Sequence, residues 1–211
     1  MDAIVMAGGM GRRLGKDEKP LTLLLGRPLI QYVLFALLGS KNIDRIFVAT
    51  SPRVKKTIDW LCDFKKEHEN VEIIPTSGNG FVHDMVSAVE KARIKKHVFI
   101  TMADLPLVTS ELIDRIIEKY NEIDTPALSV HMKLDVLMKL GLRPDTVFHK
   151  NNSFIVPCGI NILDVDMIQE EQEDFNLILN IEELALNVNT QKDLAVCEDY
   201  LKGKKIYLKR T

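Results

Sequence analysis

The sequence predicts an α/β fold of three layers, α/β/α, around a mostly parallel mixed sheet. Short apolar runs alternate with segments of helical period throughout residues 1–121. That is the pattern of βαβ units, whose strands run parallel and whose helices cover both faces. Each of these runs is followed by a loop of small and turn-forming residues. In open α/β sheets, loops at the carboxyl ends of strands are where ligands bind.

Residues 3–7 are a short apolar run ended by glycines, which reads as a buried strand. Residues 29–40 carry helical apolar spacing, with Pro28 at the first turn and Gly39 near the end. A second strand is expected at 45–51, a helix at 53–68, a third strand at 71–76 and a helix at 81–93. The fourth strand is 97–103. The next helix spans 110–121, with Ser110 as its N-cap and Leu112, Ile113, Ile116 and Ile117 on one face. The second half is less regular. Strands are expected at 125–132 and 153–163, the latter broken by Pro157 and Gly159. Residues 133–152 show no clear period, and residues 164–180 are acidic, then apolar. Residues 185–203 read as a strand, a cap at Thr190 and a last helix ending at Gly203. The stretch Trp60, Leu61 and Phe64 reads as core.

Length and composition bound the function. The chain has 211 residues, 46% hydrophobic and 27% charged, the profile of a soluble globular protein able to bury a core without staples. One domain over 1–211 is expected. A net charge of −2 excludes wholesale binding of polyanions, so any phosphate site is local. The other basic cluster, Lys202 to Arg210, has a single aromatic residue, Tyr207, and reads as a solvated tail; no nucleic-acid partner is expected. Cys62, Cys158 and Cys197 form no C-x-x-C pair, which argues against disulfides and zinc and for a reducing cytoplasm. No signal peptide is visible and no run reaches the ~20 apolar residues of a membrane span.

The loop after the first strand, MAGGMGRRLGKDEKP at 6–20, contains four glycines. Its spacing fails the dinucleotide fingerprint, because Gly15 falls one place late after Gly9 and Gly11. It also fails the P-loop, because Gly11 to Gly15 is one residue short and Asp17 stands where Ser or Thr is needed. The chemistry still suits phosphate. Glycines let successive N–H groups converge on an anion, and Arg12, Arg13 and a lysine add charge. Either Lys16 or Lys19 could be the phosphate lysine, and the Lys-Pro pair favours Lys19.

Read as Gly8, Gly9, Gly11, Arg13, Lys19 and Pro20, the spacing resembles the nucleotidyltransferase superfamily with a GT-A-like, Rossmann-like fold. That group includes sugar-1-phosphate nucleotidyltransferases and molybdenum-cofactor guanylyltransferases. The stretches FVATSP, TSGNGFVHDM, VPCGIN and NVNTQKDL narrow the match. With the loop, they resemble the archaeal GTP:adenosylcobinamide-phosphate guanylyltransferase family from residue 1 to about residue 201.

The resemblance implies a nucleotide-binding half at 1–121 and an acceptor-binding half at 122–211. It implies transfer of GMP from GTP to a phosphorylated corrinoid, with Mg²⁺ as cofactor, in cobalamin biosynthesis. The catalytic residues it implies are Arg13, Lys19 and Asp104. The nucleotide would lie against Met6, Ala7, Gly8, Gly9, Met10, Gly11, Arg12, Arg13 and Lys19. Beyond that loop it would touch Ser51, Pro52, Thr76, Ser77, Gly78, Gly80 and Asp104. Gly159, Asn161 and Asn187 would face the acceptor, and Asp104 with Asn189 would hold the metal. Bland readings stand beside these. Asp104 could cap the next helix or shape the Leu-Pro turn. Asn187 and Asn189 suit turns. TSGNG could be a plain loop, and Gly159 could mark a β-bulge. Asp84 reads as a charge at a helix start. His68, His97, His131 and His149 have no i, i+4 partner and read as neither ligands nor catalytic groups. The apolar face at 29–38 suits either a homodimer or packing on the sheet. The competing functions are a molybdenum cofactor guanylyltransferase and a non-catalytic nucleotide-binding protein.

Overall fold

The structure, a computed structural model, describes residues 1–15, 18–150 and 152–203. Lys16, one of the two lysines weighed for phosphate, and the tail from 204 lie outside the described residues.

Strand β1 (Asp2–Met6) is followed by single 3-10 turns at Arg12–Leu14 and Lys19–Leu21, then a minimal hairpin, β2 (Leu23–Leu24) and β3 (Arg27–Pro28). The repeats come next: α1 (Leu29–Gly39), β4 (Ile46–Thr50), α2 (Lys55–Phe64), β5 (Val71–Pro75), α3 (Phe81–Ala92), β6 (His97–Met102) and α4 (Ser110–Tyr120). The second half holds β7 (Ala127–Lys133), α5 (Leu134–Lys139), β8 (Phe148–Lys150), β9 (Ser153–Asp164), β10 (Asp174–Ile178), α6 (Glu182–Ala185) and α7 (Gln191–Leu201).

The sheet order is β5-β4-β1-β6-β9-β7-β10, with β8 paired to β9. Strands β5, β4, β1 and β6 are mutually parallel, as are β7 and β10. Strand β9 runs antiparallel to both neighbours, which makes the sheet mixed. The chain steps outward from β1 to β4 and β5, then returns to place β6 on the other side of β1. A crevice opens at such a reversal, beyond the carboxyl ends of the strands.

Alternation along β1 explains the layers. Ala3 and Val5 join one buried cluster, with Leu29, Val33 and Leu37 of α1 and Ile113 and Ile116 of α4. Ile4 and Met6 join the other, with Met85, Ala88 and Val89 of α3. A strand buried on both faces has no polar side, hence its continuous apolar run. The apolar face of α1 is spent on this core, leaving Phe35 exposed. Trp60 stacks on Phe64 at 5.0 Å, partly buried against the same cluster.

Two sequence expectations are corrected by the structure. Helix α4 is capped by Thr109, not Ser110: its hydroxyl accepts from the Leu112 N–H at 3.3 Å. Residues 186–189 form no strand; they run as an irregular link whose Val188 N–H donates to the Asp104 carbonyl at 3.0 Å. Thr190 does cap α7, through a reciprocal box with Asp193. The stretch 133–152 contains α5 and β8, and 164–180 contains β10, each too short to display a clear period. No helix among the described residues is long and apolar enough to cross a membrane.

Candidate active site

The glycine loop is held to the β4 loop by backbone and hydroxyl contacts. Ser51 donates its hydroxyl to the Gly8 carbonyl at 2.9 Å. A Cβ on Gly8 would sit 3.2 Å from the Ser51 Cβ, so the close approach favours glycine. The Lys19 N–H closes the loop onto the Gly9 carbonyl at 3.3 Å. Just before it, the buried Glu18 carboxylate accepts from the Lys56 N–H at 2.9 Å and from the Thr57 N–H and hydroxyl, both at 2.6 Å. These amides are orphan donors of the first turn of α2, where the helix end favours an anion. Glu18 therefore anchors the loop one residue from Lys19.

Lys19 reaches two partners from distant chain segments. Its ammonium pairs with the Asp104 carboxylate beyond β6, and donates to Asn189 Oδ1 at 2.6 Å before α7. Asp104 is only 4% exposed, and its Oδ1 is buried without a hydrogen-bond partner among the described residues. The structure thus answers one bland reading: Asp104 caps no helix, because Thr109 does. Asp104 and Asn189 share the Lys19 ammonium, both offer hard oxygen donors, and the Asp104 Oδ1 is an unmet acceptor among the described residues. That donor set fits Mg²⁺, which takes one or two carboxylates together with substrate phosphates and waters.

Two cavities share the walls Phe81 and Met102, and Asn189 of this triad lines one of them. The smaller, about 210 Å³, is lined by Met6, Gly8, Gly9, Thr76, Gly78 and Gly80, together with Arg53 and Asp84. Gly78 and Gly80 have φ of +76° and +124°, conformations that glycine adopts at little cost. Asp84, buried on α3, shapes the loop: its Oδ1 accepts from the Gly78 N–H at 3.0 Å and the Ser77 hydroxyl at 3.1 Å. It is a loop organiser rather than only a helix-end charge. Thr76 donates its hydroxyl to the Thr50 carbonyl at 2.9 Å.

The larger cleft, about 1010 Å³, is lined by Arg13, Asn187, Asn189, Gly159 and the loop 141–146. Phe81 and Met102 line both cavities and join them. Arg13 forks onto Asp145 with two bonds of 3.0 Å. The hydrogen bond to Arg13 holds the Asp145 carboxyl below its ordinary range, and Arg13 is raised in turn. Both side chains are exposed, so the pair is weak in energy and free to exchange partners. The Asn187 Oδ1 is buried without a partner among the described residues.

Gly159 has φ +72°, and a Cβ there would come within 2.9 Å of the Met102 Cγ. Between the pairs Ser129–Asn161 and His131–Pro157, β9 uses four residue steps against two of β7. Gly159 therefore sits at the register shift and also lines the larger cleft. Asn161 does not line the cleft. It is paired with Ile100 and Ser129 inside the sheet.

Other expected residues lie around these walls. Ala7 and Gly11 are buried, Ser51 is 2% exposed, and Pro52, Met10 and Arg12 are exposed. Sequence reasoning missed Glu18, Arg53 and Asp145 as site residues. Asp145 carries no local signal, since it meets Arg13 from 132 residues away.

Residues 3–136 match the MobA-like NTP transferase domain. Over 202 residues the chain is 35% identical to an adenosylcobinamide-phosphate guanylyltransferase of Methanocaldococcus jannaschii, covering 96% of this chain and 98% of that protein. A probable molybdenum cofactor guanylyltransferase of Thermococcus sibiricus is 31% identical over 59% of this chain and 58% of its own. Among solved structures, HddC from Yersinia pseudotuberculosis, complexed with GMP-PN, superposes with a TM-score of 0.71 at 15% identity, over 95% of this chain and 99% of that one.

Proposed function

We propose that this chain, which belongs to the MobA-like NTP transferase family, transfers GMP from GTP to adenosylcobinamide phosphate and releases pyrophosphate. The observation that carries the chemistry is the Lys19–Asp104–Asn189 triad, whose Asn189 lines the larger cleft. The corrinoid acceptor rests on the likeness to the Methanocaldococcus jannaschii protein, which spans both halves of the chain.

The acceptor phosphate oxygen attacks the α-phosphorus as the bond to the β-phosphate oxygen breaks. The attacking oxygen is already anionic, so no side-chain base is required. The barrier is the approach of two anions and the charge gathering on pyrophosphate, which positioned cations relieve. Lys19 supplies one at the α-phosphate. Arg13 supplies another after exchanging Asp145 for phosphate oxygens. Asp104 and Asn189 would hold Mg²⁺, which when bound neutralises phosphate charge and fixes its orientation. The small cavity takes the base and the large cleft takes the acceptor, with Gly159 and Asn187 on its wall.

The test is pyrophosphate release with GTP and either adenosylcobinamide phosphate or molybdopterin, run on wild type and Lys19→Ala. Turnover with the corrinoid, abolished in the variant, supports the assignment. Turnover with molybdopterin alone replaces the acceptor, and tight GTP binding without turnover on either leaves a nucleotide-binding protein.

A further inference from the structure

Arg53 ties into the fold through its backbone, whose N–H donates to the Ser51 hydroxyl at 3.4 Å. It follows β4, is exposed, and its guanidinium makes no hydrogen bond or ion pair with another described residue. Yet it lines the small cavity, with its Cζ 3.7 Å from where a Gly78 Cβ would be. The neighbouring polar groups are spoken for. Ser51 is bonded to Gly8, Thr76 to Thr50, and Ser77 to Asp84. Arg53 is thus a side-chain donor of that cavity with no acceptor among the described residues. The other arginine of the site, Arg13, lines the larger cleft instead.

A guanidinium presents parallel N–H donors, and the matching partner on a purine is the O6 and N7 acceptor pair of guanine. Adenine places an amino donor where O6 stands, so donor would face donor. We infer that Arg53 is the specificity-determining residue for the base, gripping guanine O6 and N7 from above the Gly78 bend. This rests on the guanylyltransferase reading and adds the group that makes the choice of base.

Binding of GTP, ATP, 7-deaza-GTP and ITP is measured by calorimetry on the full chain, with wild type, Arg53→Gln and Arg53→Lys. Arg53 is exposed, and matching thermal melts check that the variants are folded. Wild type should prefer GTP to ATP and lose affinity when N7 is removed. Arg53→Gln should bind GTP about tenfold more weakly, the scale of one bidentate pair, and should no longer distinguish GTP from 7-deaza-GTP. The ratio of GTP to ITP, which differ at the 2-amino group, should not move. Lysine, a point charge without the fork, should not restore the N7 preference. An equal loss for all four nucleotides would make Arg53 a phosphate contact and overturn the inference, as would no change at all. A wild type indifferent between GTP and ATP would overturn the guanylyltransferase reading as well, so the two failures are distinguishable.

Discussion

Lys19 is the side chain on which the rate should depend most. Its ammonium stands between a buried carboxylate and an amide oxygen, and removing a preorganised cation that meets developing charge costs roughly 10²–10³ in kcat. Lys19→Met should therefore lower kcat by about that factor in steady-state assays, with a smaller change in KM for GTP. It should also lower stability, because Asp104 is left as a buried charge without its partner; a denaturant melt checks this. Asp145→Asn acts in the other direction. It frees Arg13, and calorimetry at low salt should show GTP binding a few-fold tighter, with the gain fading as salt screens the exposed pair. At this scale Arg13, Lys19 and Asp104 were legible, because glycines, basic residues and a Lys-Pro pair lie within one loop, and an aspartate closes a strand. Glu18 was not. It stands among charged neighbours, and nothing local shows that it folds inward to the start of α2.

Elements fix the distances between those residues, and the α1–α4 contact is a measurable part of that frame. Asp114 on α4 receives the Ser40 hydroxyl at 2.5 Å, the Lys41 N–H at 3.0 Å and the Asn42 amide at 3.1 Å, all at the end of α1. Burial works against its charged form, but these hydrogen bonds outweigh burial and hold its carboxyl below the ordinary value. A folded pKa below the unfolded one means that the contribution is complete above the unfolded value, near pH 4, and is lost as pH falls through the folded value. Asp114→Asn should lower stability by about 2 kcal/mol at pH 7 and flatten the acid limb below pH ~4. Equal acid limbs in urea melts of the two proteins would refute this. The four β-α repeats were legible because each buries a face with a distinct period. The register shift at Gly159 was half legible, since a strand glycine signals either close approach or an extra residue. Strand β10 and the link 186–189 were not, because neighbours across the sheet, rather than their own pattern, define them.

At the scale of the whole molecule, the contacts of Lys19 tie together parts of the chain that are 85 and 170 residues apart. Lys19 comes from the first loop, Asp104 from the central strand end and Asn189 from the start of the last helix. The sequence order could not reveal this closure, though NVNT signalled a cap at the right place. On the proposed function, nucleotide binding and the docking of the C-terminal link are coupled. A ligand that binds only the folded state adds RT ln(1 + [L]/Kd), about 2.7 kcal/mol at a hundredfold excess over Kd. GTP should therefore raise Tm. The coupling makes a sharper claim: residues 186–190 should gain hydrogen-exchange protection when GTP is added, although they are distant in sequence from the glycine loop. In Lys19→Met the link from Lys19 to Asn189 is gone, so GTP added without Mg²⁺ should protect the glycine loop while leaving 186–190 exchanging as in the free protein. If both regions gained protection equally in the variant, the link would be held by the nucleotide or by the Val188–Asp104 backbone bond, and Lys19 would not be the coupling group.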